Sequence, residues 1–553
     1  MNTEPKSPEN LRWFEAGSLS SLLLDPLSEP LSQTLCAFMK EQRWFRGKAR
    51  TLRGLQVLDV LPLSAADIEE LVLLCVRVHY EADERDEVYV LPLARTANKS
   101  QTRAVLGLHL GRGLDNIVYD PSGDAALSDS LIQLYSQRLV NSTRGVLHVD
   151  AHAALVTRLA PQADPLEAHA PSGDQSNTTL FYGQELMLKL FRQLEDGVNP
   201  DVEVCRFLWD HGYRHAPEPL GYVQYTSPHF QATLSAVQRY IPSQGTAWDM
   251  TRQALQRALL LAEQRRAHTQ APELPKGDLL SSAREPVPDS IAELVGSLAP
   301  LVAQLAQRSA ELHLCLASDV TDPAFSPEPF DARYQRTIVQ AARDRLTRVY
   351  GLLRKQLPSL PAAHRPRAEQ VLLLQGQLDQ QLDSLPDARV QADRIRCHGD
   401  YHLGQVLFTA NDFVIIDFEG EPAQPLAVRR EKHSALYDVC GMLRSFHYAA
   451  TVATEEVLSA RHDPDERFSL TQWSDAFYSW CSALFLGAYL TRAREEPGKA
   501  VFLPQSEDQL RALLRLHMLD KCAYELGYEL NNRPDWLLVP LAGLSNLADP
   551  ENR

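Results

Sequence analysis

The sequence predicts an α+β chain. Strand-like runs dominate residues 55–240, amphipathic helices dominate from Ala247 onward, and one short hairpin with polar ends interrupts the helices near residue 400. Each observation rests on periodicity: apolar runs bounded by turn residues for strands, i, i+3, i+4 spacing for helices. At 553 residues the chain exceeds one ordinary core, so several lobes are expected. We read residues 1–130 as a small α+β cap, 131–242 as a second strand-rich lobe, and 243–553 as a mainly helical lobe.

In order, Leu31–Met39 has helical spacing and leads into the basic, aromatic Arg43-Trp44-Phe45-Arg46-Gly47-Lys48. Leu55–Leu63, Glu70–His79 and Glu87–Leu93 read as strands. In the second lobe Val146–Val149, Ala153–Leu159, Leu180–Tyr182, Glu185–Phe191 and Thr233–Tyr240 read as strands, and Asn199-Pro200 caps a helix through Asp210. Ile241–Gly245 reads as a hinge. Helices are expected at Arg252–Arg266, Ile291–Ala317, Tyr334–Leu357, Ala368–Leu385, Leu436–Ala450, Thr471–Arg492 and Asp508–Tyr528, with a Pro- and Ser-rich insertion at 270–290.

The hairpin carries the chemistry. Val406–Phe408 and Phe413–Ile416 flank the turn Thr409–Asp412, so the open ends bring Asp400 and Gln405 toward Asp417 and Glu419. Phosphoryl transfer needs this set: one carboxylate to take the acceptor's proton, and a carboxylate with a side-chain carbonyl to hold magnesium. Asp400 stands five residues before Gln405, and Asp417-Phe418-Glu419-Gly420 stands where a kinase D-F-G would. Asp400 and His398 are therefore the candidate catalytic residues, and Gln405, Asp417 and Glu419 the candidate metal ligands. His398, Asp400 and His402 with the two later acids also allow a metallohydrolase cluster, and an ordinary polar-ended hairpin is the bland alternative.

The kinase reading demands a phosphate loop, a strand lysine and a helix acid upstream, and all three occur. Gln175-Ser176-Asn177-Thr178 can offer backbone and hydroxyl donors to phosphate. Lys189 sits in an apolar strand and needs an anionic partner, for which Glu203 in the following helix is the candidate. Gln238 and Tyr240, before the hinge, are candidate cofactor-binding residues, and the hinge itself is expected to offer backbone groups to adenine.

Composition sets the surroundings. A net charge of −16 argues against nucleic acid. No apolar run reaches membrane-spanning length, and MNTEPKSPEN lacks the basic and apolar regions of a signal peptide, so the cytoplasm is the expected compartment. The eight cysteines form no CxxC and no disulfide-framework spacing.

HGDYHLGQVL, IDFEGEP, QSNTT, LKLFR with GVNPDVEVCRFL, and the C-terminal YELNNRPDW resemble bacterial maltokinases, and RWFRGKAR resembles their cap signature. The match spans about residues 36 to 544. The resemblance implies a bilobal protein-kinase-like fold of the aminoglycoside-phosphotransferase superfamily. It implies ATP and Mg2+ as cofactors and phosphorylation of maltose at its anomeric hydroxyl. Relatives occur fused behind trehalose synthase, which implies association with that enzyme. Residue by residue, Asp400 matches the base, Gln405 and Asp417 the magnesium ligands, and Lys189 with Glu203 the phosphate-anchoring pair. Gln405 departs from the superfamily's usual Asn on a longer arm. For the acceptor, aromatic faces and planar polar groups are required. Tyr524, Glu525, Tyr528, Asn532, Arg533 and Trp536 supply them, with Asp400, His402 and Arg444 as further candidates. Two other readings stay open: a kinase of the same fold acting on an aminoglycoside or choline, and a non-catalytic pseudokinase.

Overall fold

The computed structural model describes residues 12–14, 18–23, 26–65, 68–81, 85–96, 105–110, 117–170, 177–228, 230–264, 271–296, 298–383, 389–459 and 463–548. The chain divides into two compact units: residues 1–206 with 217–242, and residues 207–216 with 243–553.

Among the described residues, the first unit holds two sheets of seven strands. In one, Leu52–Leu63, Glu70–Tyr80 and Glu87–Thr96 form an antiparallel meander, extended by Ile117–Tyr119, Val105–Leu110 and Arg12–Phe14. The central strand reads LVLLCV because both of its faces are covered. Leu71, Leu73 and Cys75 point into a core shared with the other sheet, where Leu180, Leu188 and Leu234 also lie. The alternate residues Val72, Leu74 and Val76 face a second core built on Leu31, Leu35 and Met39 of the Glu29–Glu41 helix. Trp44 and Phe45 are buried in this second core against Tyr89, so the aromatic pair is packing. The other sheet runs Leu139–Asn141, Val146–Ala151, Pro219–Ser227, Phe230–Arg239, Leu186–Leu190, Thr178–Tyr182, Ala168–His169.

Four elements differ from expectation. Ala153–Arg158 is a helix, begun by His152, whose ring nitrogen accepts from Ala154 N–H. Pro219–Ser227 is a central strand despite its Pro and Gly, because a register shift between Pro219 and Gly221 absorbs them. The 291–317 helix is two, Asp289–Val295 and Leu298–Leu316, parted at Gly296 with φ +49. The 368–385 helix is likewise Arg365–Leu373 and Gln375–Leu382.

The second unit is helical around Leu436–Leu458, whose residues from Val439 to Phe446 are all buried. A helix buried all round belongs in an interior, where its polar side chains must find partners. Ala247–Gln264, Pro464–Arg494 and Glu507–Asn532 pack around it. The hairpin Val406–Phe408 with Phe413–Ile415 lies in this unit, and both of its edges are closed. Gln244 N–H donates to Phe408 O and Phe408 N–H to Gly245 O, while Ile415 N–H donates to His215 O at 2.8 Å. Covered edges keep so short a hairpin from slipping register. Among the described residues, no helix is long and apolar enough to cross a membrane.

Candidate active site

The loop before the hairpin is held by one face of the Leu436–Leu458 helix. Asp438, 1% exposed, accepts from His398 N–H (2.7 Å) and Gly399 N–H (3.0 Å). One turn on, Gly441 lets the helix approach so closely that a Cβ there would sit 2.5 Å from Tyr401 O. At the next turn Ser445 Oγ accepts from Leu403 N–H at 3.0 Å. Positions 438, 441 and 445 share one helix face, which is why three side-chain choices fix one loop. Asp438 also accepts from His313 Nε2 (3.0 Å), whose Nδ1 meets Tyr489 Oη at 2.8 Å. Burial alone would raise the Asp438 carboxyl; His313 and the backbone donors hold it below the usual range, so it stays charged.

This frame presents Asp400. Gly399, at φ +85, makes the turn that exposes it, and its Asp400 N–H donates to His398 Nδ1 at 3.4 Å. His398 is buried, and its Nε2 donates to Ile416 O at 2.9 Å, which ties the loop to the second strand. That corrects the expectation of a catalytic His398: the ring has both nitrogens engaged and acts as a strut. His402 Nδ1 accepts from Gly404 N–H, and its Nε2 lies 3.9 Å from Asp400 Oδ2. Burial lowers its pKa, so the ring beside Asp400 is neutral.

After the second strand, Asp417 has φ +64; among the described residues no other non-glycine has positive φ. Such a conformation costs about 1–3 kcal/mol and persists only where surroundings enforce it. It turns the carboxylate toward Gln405, whose Nε2 donates to Asp417 Oδ2 at 3.0 Å. Gln405 thus keeps its carbonyl oxygen for a cation, and carboxylate plus amide carbonyl is a hard-oxygen donor set suited to magnesium. Glu419 is half-buried two residues on.

In the first unit, Lys189 Nζ donates to Asp201 Oδ2 at 3.0 Å. The acid that meets the lysine here is Asp201, a first-turn residue passed over in favour of Glu203. Two helix positions differ by about 200° around the axis, so the two acids face different ways. Asn199 Oδ1 accepts from Asp201 N–H and fixes the helix start. Of the expected phosphate loop, Gln175 and Ser176 lie outside the described residues. Asn177 and Thr178 are gripped by Arg192, which is 1% exposed: its backbone N–H donates to Asn177 Oδ1, and its Nε to Thr178 Oγ1 at 2.7 Å. The same guanidinium donates to Val90 O and Ser122 Oγ on the cap side. Sequence reading missed Arg192; a lone arginine after an apolar strand was its signal. Gln238 is buried and donates to Cys205 Sγ, and Tyr240 packs edge-on to Phe181.

The acceptor candidates separate into two groups. Arg444 is 1% exposed and paired through Nε (2.9 Å) and a second nitrogen (2.8 Å) with Glu525; it also contacts His447 and Val539 O. Arg444 and Glu525 therefore satisfy each other inside the protein, which corrects their assignment to the acceptor beside the hairpin. Trp536 stands in an aromatic group with Trp248 (6.3 Å) and Tyr448 (5.7 Å), and the Arg533 guanidinium lies 4.8 Å above its ring. Arg533 pairs with Glu529 through two nitrogens. Asn532 is exposed and donates to Tyr528 O on its own helix, and Tyr528 is 44% exposed.

Tyr524 belongs with the hairpin instead. Its hydroxyl stands beside the Glu421 carboxylate, which, after burial, raises the Tyr524 pKa. Burial and the nearby Asp400 push Glu421 up. Lys521 Nζ lies 5.3 Å over the Tyr524 ring and 5.7 Å from that of Tyr437. Burial would lower the Lys521 pKa, but Tyr437, Asp400, Glu525 and Glu421 together raise it, so it is charged. Glu421 and Lys521 went unrecognised in the sequence. Lys521 is three residues before Tyr524, one helix turn away, and that spacing was its signal.

Residues 38–124 match the family described as the maltokinase N-terminal cap domain, and residues 167–421 the phosphotransferase enzyme family. The glucosamine kinase of Mycolicibacterium smegmatis is 27% identical over 380 residues, covering 68% of this chain and 78% of that protein. The glucosamine kinase of Streptacidiphilus jiangxiensis is 23% identical over 380 residues, covering 68% and 72%. The solved structure of a glucosamine kinase in complex with glucosamine, ADP and inorganic phosphate aligns over 98% of this chain and 99% of that one, with TM-score 0.56 and 18% identity. These likenesses establish a phosphotransferase-type, protein-kinase-like fold with an N-terminal cap.

Proposed function

The chain joins a maltokinase-type N-terminal cap to a catalytic region of the phosphotransferase enzyme family, and from that premise we propose that it is an ATP-dependent sugar kinase whose acceptor is maltose. The cap match over residues 38–124 is the observation that carries the maltose reading. In this reading Asp400 takes the proton of the anomeric hydroxyl as its oxygen bonds the γ-phosphorus. The bond from that phosphorus to the β–γ bridging oxygen breaks, and ADP leaves. Lys189, fixed by Asp201, donates to phosphate oxygens, and Arg192 holds the loop residues Asn177 and Thr178 in place. Gln405 and Asp417 hold magnesium, with Glu419 beside them; the ion when bound neutralises phosphate charge. The trehalose synthase association is an expectation of the same reading.

The curated relatives favour a second acceptor, glucosamine. Coupled ADP release over maltose, glucosamine, glucose, trehalose, an aminoglycoside and choline tests this. Maltose should give the highest kcat/KM; a preference for glucosamine would replace the acceptor and leave the kinase.

A further inference from the structure

The insertion at 270–290 closes one side of a cavity of about 350 Å3 inside the second unit. None of Asp400, Gln405, Asp417, Glu421, Lys521 or Tyr524 lines it. The insertion is pinned: Trp480 Nε1 donates to Glu273 O at 2.8 Å, Arg511 pairs with Asp278, and Asp278 caps the Leu279–Ser282 turn.

Opposite stand Asp475, Tyr478, Ser479 and Ser482, at helical spacing on one face of the Pro464–Arg494 helix. That face is exposed at Asp475, intermediate at Tyr478 and Ser479, and buried at Ser482. Ser482 is 2% exposed, and among the described residues its Oγ has no hydrogen-bond partner. A buried hydroxyl without a partner is unfavourable, and a polar helix face that runs from the exposed Asp475 to the buried Ser482 is not how a core is filled. Leu280, Leu514 and Met518 supply apolar surface beside these groups. Polar and apolar side chains share the lining, and a volume at the lower end of ligand sites with convergent polar groups describes a small-molecule site.

Charge selects the ligand. Three guanidiniums line the cavity: Arg444 is neutralised by Glu525, Arg511 by Asp278 and Asp508, and Arg515 is the third, while Asp475 stands at the mouth. An anion would find no uncommitted positive charge in Arg444 or Arg511 and one carboxylate in its way. Carboxylate, hydroxyls and guanidinium edges around a tyrosine ring suit the hydroxyls and C–H face of a neutral sugar. We infer that this cavity is a second, non-catalytic binding site for a neutral mono- or disaccharide, whichever acceptor the hairpin serves.

The test uses the full chain with Asp400→Asn and Tyr524→Ala, which weaken the catalytic subsite. Glucose, maltose, trehalose and inorganic phosphate are titrated, and protection is mapped by hydrogen–deuterium exchange. At least one sugar should protect residues 274–282 and 475–482, and Ser482→Phe or the milder Ser479→Leu should weaken it about tenfold or more. Protection confined to 400–421 and 520–536, binding by phosphate alone, or no binding at all would overturn the assignment. Folded variants that bind as the parent does would also overturn it, and if both variants misfold the exchange map still decides. The readout is binding, so it stands even if no acceptor is phosphorylated.

Discussion

The hairpin at 398–421 and the helix end at 521–536 both carry dense polar sequence, yet they use it differently. In the hairpin region the backbone is held from outside, by Asp438, Gly441 and Ser445, and Asp400, Asp417 and Glu421 are the side chains to which the proposed function gives chemistry. In the C-terminal segment the side chains largely hold one another: Arg444 with Glu525, Arg533 with Glu529, Asn532 with its own helix. A polar residue is therefore a better functional candidate when its neighbours' hydrogen bonds are already made by others.

The sharpest break of that contrast is at the base. Asp400→Asn should cut kcat by about 10²–10⁴ and leave nucleotide binding nearly unchanged; parent turnover in steady-state kinetics would return the hairpin to ordinary structure. Arg444→Met should act on stability instead. Removing one partner of a buried ion pair costs about 3–5 kcal/mol, read by chemical denaturation, with acceptor KM in the surviving folded fraction little changed. A raised KM at parent stability would put Arg444 back in the acceptor site.

Smaller effects sharpen the boundary between the two regions. Tyr524→Phe loses the hydroxyl beside the Glu421 carboxylate. At about 1.5–3 kcal/mol for a bond to a charged group, acceptor KM should rise about 10- to 100-fold while KM for ATP stays. Equal rises in both would make Tyr524 a support of the lobe. A further effect appears only in acid. Burial pushes His517 down to about 3, whereas an unfolded histidine titrates near about 6.5. Between those values the unfolded chain binds the extra proton, so stability rises with pH. The contribution is complete above about pH 6.5 and is lost as pH falls toward about 3. His517→Phe should flatten this acid limb in denaturation curves taken across that window; an unchanged slope would assign the acid loss to other groups, such as His447.

The hairpin was legible because its chemistry is local: Asp400, Gln405 and Asp417 lie within 18 residues, and short strands between them leave few arrangements. The α+β class and the long helices were legible for the same reason, through periodicity. What escaped depends on contacts across the sequence. The Lys189 partner turned on which way a helix faces, and Glu421 and Lys521 meet over about a hundred residues. Pro219–Ser227 is a strand because Val146–Ala151 and Phe230–Arg239 flank it, against its own Pro and Gly.

One edge of the hairpin bears on how the molecule can be divided. Ile415 N–H is bonded by His215 O, and Asp412 pairs with Arg308 and lies 3.8 Å from the His215 ring. Residues 207–216 reach the helical unit from the middle of the strand-rich stretch, so that unit is discontinuous in the gene. A fragment beginning at residue 243 would be made without the segment that seals its catalytic strand, leaving Ile415 N–H unpaired and Phe325 without the Phe207 ring stacked 3.7 Å away. Dissection of this protein into expressible halves must carry 207–216 along, by a linker or a circular permutation, or the helical half will expose an open strand edge to other chains.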